Sequence, residues 1–160
     1  ELRITGVYSQ AQAAPMNIEL TPHDLHALSD PQRAAVLNSL YAALFADGHP
    51  EQAEVAAFVD AISRLPWNYP LEALMSKANE LQAWMDTVDK DTRTAFLRDT
   101  AANVPMELRE KLVLTMIAIA AADRRITEHE WNRMASFIKQ FQLSPIQIEL
   151  IRRKIAPLMR

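Results

Sequence analysis

The sequence predicts an all-α domain, on three observations. Only two glycines, Gly6 and Gly48, occur in 160 residues. No stretch alternates apolar and polar side chains for long enough to make a half-buried strand. Proline stands where helices begin: Thr21-Pro22, Asp30-Pro31 and Ser144-Pro145 each set an N-cap residue before Pro at the first helical position. There the missing N–H is no loss, because that donor has no partner inside the helix. The expected form is a compact bundle of about seven or eight helices with an internal pseudo-repeated helical hairpin.

Taken in order, residues 1–20 carry no helical period and read as an N-terminal tail or arm, and residues 21–160 as a single domain. Glu1 in place of Met fits a processed product or a piece of a longer protein, with Met16 a candidate native start. Residues 1–15 lack both the basic and the apolar region of a signal peptide. Helices are expected at 22–28, 31–46, 51–65, 70–87, 90–102, 106–122, 128–141 and 145–158. Ser144 with Gln147, and Thr127 with Glu130, have the spacing of capping boxes, in which side chains and backbone donors satisfy each other across the first turn.

In helix 31–46, Val36, Leu37, Leu40, Leu44 and the alanines make a wide apolar stripe, and helix 106–122 repeats it. A shift of 76 residues aligns Val36 with Leu112, Leu37 with Val113, Leu40 with Met116, Val55 with Trp131, Phe58 with Met134, Ile62 with Ile138 and Leu65 with Phe141. Every pair is apolar, which predicts two copies of one hairpin, at about 31–66 and 107–142.

Composition narrows the function. A net charge of −3 with 17 scattered Lys and Arg offers no basic face for nucleic acid. With no cysteine there is no disulfide, thiolate nucleophile or Cys-ligated zinc; the redox compartment stays open, leaning to the cytoplasm. The longest apolar run, LVLTMIAIAAA from Leu112 to Ala122, has eleven residues. Crossing a bilayer takes about 20, so membrane insertion is not expected. No nucleophile elbow or phosphate-cradling glycine loop supports an enzyme. His129-Glu130-Trp131-Asn132-Arg133 starts like a zinc-protease helix but ends in Arg, and His23 with His26 has no third ligand.

The chemistry concentrates in two turns. FADGHPEQAE at 45–54 and AADRRITEHE at 121–130 repeat Asp47 as Asp123 and Glu54 as Glu130. The glutamates suit helix starts, where a carboxylate caps backbone N–H groups and complements the dipole. In the second copy Ile126 and Trp131 occupy hydrophobic-staple positions, as Pro50 and Val55 do in the first. The aspartates do not suit helix chemistry: each falls where an apolar helix ends, at the pole that disfavours an anion. A divalent cation would relieve that, since an Asp at one helix end and a Glu at the next helix start offer hard oxygen ligands. Gly48 fits either reading as a helix-ending residue, whereas Arg124 and Arg125 could neutralise Asp123 directly. An EF-hand is excluded, since loop positions six and twelve from Asp47 are Gln52 and Phe58. LPWNYP at 65–70 puts Trp67 and Tyr69 in a proline-bounded loop, either as a partner surface or as a plug for the end of the core.

The apolar helix running into Asp47-Gly48 with Glu51 and Glu54 behind it, and IAIAAADRRITEHEWNRMASFIKQFQLS at 117–144, resemble the TerB-like (tellurite-resistance protein B) family over roughly 31–158. The resemblance implies a compact all-α domain with an internal pseudo-repeat and a non-enzymatic role in tellurite, phage or chemical-stress systems. It also implies protein partners, some of them membrane-associated, and a cytoplasmic location, peripheral at the inner membrane face. The acids it links to a divalent ion (Ca²⁺, Mg²⁺ or Zn²⁺) fall on Asp47, Glu51 and Glu54, and on Asp123, Glu128 and Glu130. Arg124 stands where the family commonly has Gly, a departure that weighs against a cation at the second turn. The alternative is a metal-free helical interaction scaffold whose acids are helix caps.

Overall fold

A computed structural model describes residues 20–45, 50–67, 69–122 and 126–159, apart from the side chains of His129, Glu130 and Arg133. Its helices are α1 (Pro22–His26), α2 (Asp30–Leu44), α3 (Gln52–Ser63), α4 (Leu71–Thr87), α5 (Lys90–Ala102), α6 (Met106–Ala120), α7 (Glu128–Ile138) and α8 (Pro145–Ile155). Short 3₁₀ turns follow α7 at Lys139–Phe141 and α8 at Ala156–Leu158. No strand occurs among the described residues; one isolated bridge joins Ile126 to Met159. No helix among them is long and apolar enough to cross a membrane.

The caps follow from local chemistry. At α8, Gln147 N–H donates to Ser144 Oγ (3.1 Å) and Ser144 N–H to Gln147 Oε1 (2.9 Å). At α1 Thr21 and Asp24 do the same. The cap of α2 is Ser29, one residue before the expected Asp30. Ser29 has Gln32 three positions on to close the reciprocal pair, whereas the residue three beyond Asp30 is Arg33, which has no acceptor. Helix α2 stops at Leu44, two residues short of the expected 46, because its C-cap Phe45 leaves helical geometry at φ −99°, ψ 15°.

Helices α2 and α6 pack against each other at the centre of the core, with α3 lying against both. The sequence suggests one apolar stripe on each, but both are buried over most of their circumference. In α2, Ala35, Val36, Leu37, Ser39, Leu40, Tyr41, Ala43 and Leu44 are all inside, and in α6 the whole run Leu112–Ile117 is. Alanines and small polar residues let neighbours crowd α2 on its remaining faces, where α4 and α5 also pack.

The hairpins coincide at an offset of 76 residues. Met106–Ala120 is Asp30–Leu44 moved by that amount, and the C-cap Ala121 (φ −98°, ψ 22°) nearly repeats Phe45. Polar contacts coincide too. Ser39 Oγ donates to Ala35 O (2.8 Å) and its counterpart Thr115 Oγ1 to Lys111 O (2.9 Å). Arg33 Nη1 donates to Pro66 O (3.2 Å), and its counterpart Arg109 Nη1 to Phe141 O (2.9 Å), one residue before the counterpart of Pro66, each arginine clasping the far end of its own hairpin. Arg109 also donates through Nε to Val104 O (2.9 Å). It is a buried cation held by backbone carbonyls that follow helix ends, where the dipole is negative.

Candidate acidic turns

Turn one leaves α2 at Phe45 and enters α3 at Glu51; turn two leaves α6 at Ala121 and enters α7 at Thr127. Each exit is closed the same way, by Phe45 N–H to Tyr41 O (3.1 Å) and Ala121 N–H to Ile117 O (2.8 Å). The entries match as well, with Val55 N–H to Glu51 O (3.0 Å) and Trp131 N–H to Thr127 O (2.9 Å).

Of the six acids the sequence singles out, Glu51 is the N-cap of α3 and exposed, and Glu54 is its third helical residue. Glu54 is only 4% exposed, and its Oε1 accepts the Glu51 backbone N–H at 2.7 Å. Glu128 is the exposed first residue of α7. Asp47 and Asp123 lie outside the described residues, as do Gly48, His49, Arg124 and Arg125, and so does the Glu130 side chain. Among the described residues no group of three or more Asp, Glu or His side chains could hold a metal ion.

A carboxylate as buried as that of Glu54 is stable as an anion only among donors or cations, and the start of α3 supplies positive backbone dipoles.

The second turn carries a tie that the first cannot make. Ile126 is 1% exposed, and its N–H donates to Leu158 O (2.9 Å), binding the turn to the chain end beyond α8. The counterpart of Ile126 is Pro50, which has no N–H to give.

LPWNYP divides between its two readings. Trp67 packs on the core and donates Nε1–H to Ile62 O (2.9 Å), closing the end of α3. Tyr69 is 52% exposed, with the Lys77 ammonium 4.7 Å from its ring centre. Asn68 lies outside the described residues.

Sequence reasoning missed a cavity of about 540 Å³ bounded by side chains of α2, α4, α5, α6 and α7. Tyr41, Phe45, Phe96 and Phe137 line it, with Asp86 and Arg93 the charged residues in its wall. No spacing within one helix announces such a site, since its wall comes from five of them.

Comparison with the curated proteins finds no match, and comparison with the solved structures finds none either. The family model for tellurite resistance protein TerB matches residues 32–153. That span runs from the first turn of α2 into α8 and takes in both hairpins and both acidic turns. The chain therefore belongs to the TerB family.

Proposed function

We propose that this chain is a non-enzymatic TerB domain of the tellurite-resistance type, an interaction module of the stress response that takes a divalent cation at its first acidic turn. The carrying observation is the burial of Glu54, 4% exposed at the start of α3, across a short turn from the end of α2 where Asp47 follows. Glu51 and Glu54 from α3 and Asp47 from the turn are the residues that would hold the ion. A bound cation would neutralise their charge and tie the end of α2 to the start of α3. Family membership supports the tellurite-resistance setting. Glu128, Glu130 and Asp123 form the weaker set, because Arg124 and Arg125 stand beside Asp123 in sequence.

One observation favours a second reading, that of a metal-free scaffold with acidic caps. The 2.7 Å bond from Glu51 N–H already gives Glu54 a role as a helix cap.

Titration calorimetry and thermal melts with Ca²⁺, Mg²⁺ and Zn²⁺ separate the two. A cation at 100 times its Kd stabilises the folded state by about 2.7 kcal/mol. The gain should vanish in Asp47→Asn and persist in Asp123→Asn. A flat titration of the intact protein with all three ions would leave the scaffold reading in possession.

A further inference from the structure

We infer that the five-helix cavity is a binding site for a compact, neutral aromatic molecule whose polar head both accepts and donates a hydrogen bond. Its volume, about 540 Å³, falls inside the roughly 300–1,000 Å³ of sites that enclose one small molecule. The floor is buried and apolar: Tyr41 is 1% exposed, Met116 4% and Phe137 9%. The Tyr41 hydroxyl is already committed to Leu74 O at 2.7 Å, so the floor presents the ring rather than a free polar group. Walls contributed by five helices make a pit, which suits a compact ligand better than an extended peptide lying along one helix.

The residues of the rim select the head group. Arg93 is half-buried and fixed there by Nη1, which donates to Met85 O (3.1 Å) and Val88 O (2.8 Å), leaving its other N–H groups as donors. Asp86, exposed, lines the same cavity, and no ion pair joins the two among the described residues. One positive and one negative group give an ionic ligand no net attraction. A hydroxyl or amide answers both, accepting from the guanidinium and donating to the carboxylate. Aromatic rings and methionine thioethers in the walls favour an aromatic body, through edge contacts and sulfur–ring contacts. This site does not depend on a cation at the acidic turns.

The test uses 4-propylphenol, 4-propylbenzoate and propylbenzene, with the methionine methyl resonances of the intact protein as the readout. Saturable shifts are expected for Met85 and Met116 with 4-propylphenol, while Met75 and Met106, which do not line the cavity, stay put. The benzoate and propylbenzene should each bind at least tenfold more weakly. Asp86→Asn, an exposed substitution that leaves the fold alone, should narrow the gap between phenol and benzoate at least fivefold. The site is overturned if no probe shifts Met85 and Met116 up to its solubility limit, or if the shifts spread evenly over all methionines. The head-group selection is overturned if propylbenzene binds as tightly as the phenol, or if Asp86→Asn leaves the ratio unchanged.

Discussion

The two hairpins share a backbone plan and differ in how they are fastened. Both clasp their far ends with an arginine, but Arg109 is buried and reaches Val104 O as well as Phe141 O, whereas Arg33 is half-exposed with one bond, to Pro66 O. Turn two is tied by Ile126 to the chain end, and Pro50 denies turn one that tie. One copy has thus become the anchor, fastened through both its arginine and its turn. A repeat can conserve geometry while dividing its duties, because each fastening is a local hydrogen bond that one substitution adds or removes.

The largest difference should come from the arginines. Arg109→Met removes the guanidinium and with it the bonds to Val104 O and Phe141 O and the longer one, 3.5 Å, to Ala102 O, and bonds from charged donors contribute about 1.5–3 kcal/mol each. Relief of the desolvation that lowers the Arg109 pKa returns part of that. A net loss of about 3 kcal/mol in urea denaturation is expected, against about 1 kcal/mol for Arg33→Met, which breaks one half-exposed bond. Equal losses would remove the distinction between anchor and partner hairpin.

Exchanging the turn residues comes next. Ile126→Pro deletes the N–H that reaches Leu158 O and trims a side chain that is 1% exposed. The bond and the lost apolar contact together should cost about 2 kcal/mol. Amide exchange should accelerate in the 3₁₀ turn at Ala156–Leu158 but not in α2. The reverse change, Pro50→Ile, should gain nothing, and stabilisation by it would mean that turn one has an acceptor waiting.

Glu54 sharpens the functional side of the comparison. Glu54→Ala loses the cap on Glu51 N–H and should cost about 0.5–2 kcal/mol without any metal. Glu54→Gln keeps an acceptor for that N–H and should recover most of the loss in plain buffer while abolishing any response to a cation. Full recovery of both properties by Gln would make Glu54 a cap and nothing more.

Much of this was legible in the sequence, for a physical reason. Caps are short-range, so Ser144 with Gln147 declared the start of α8 through a four-residue pattern, and the aligned apolar pairs declared the hairpins. Glu54 could be read as a first-turn acid on the same grounds. Arg33 and Arg109 could not be read, because an arginine on a helix ordinarily belongs to a solvated face. What buries Arg109 is the arrival of Phe141 from 32 residues away. The near-complete burial of α2 was hidden likewise, since its alanines are silent about which neighbour will approach. The cavity needed all five helices in place before it existed.

The smallest effect concerns an asymmetry on α6. Lys111, whose counterpart in α2 is the buried Ala35, reaches Asp24 Oδ1 at 3.3 Å and pins α1 to the second hairpin. Burial pushes the Asp24 carboxyl up, but the Thr21 backbone N–H, the Thr21 hydroxyl and the Lys111 ammonium together outweigh it, and the net pKa lies below the ordinary carboxylate value. A carboxyl depressed in the folded state stabilises it above the unfolded pKa, near 3.9, and loses that contribution as pH falls through the folded pKa. Lys111→Met should therefore cost about 0.2–1 kcal/mol at neutral pH, the scale of a partly exposed ion pair. The gap between wild type and variant should stay level down to about pH 5 and close below about pH 4 as Asp24 protonates. A gap that persists at pH 2 would show that Lys111 acts through the packing of its aliphatic stem, and α1 would then be fastened to the second hairpin by contact rather than by charge.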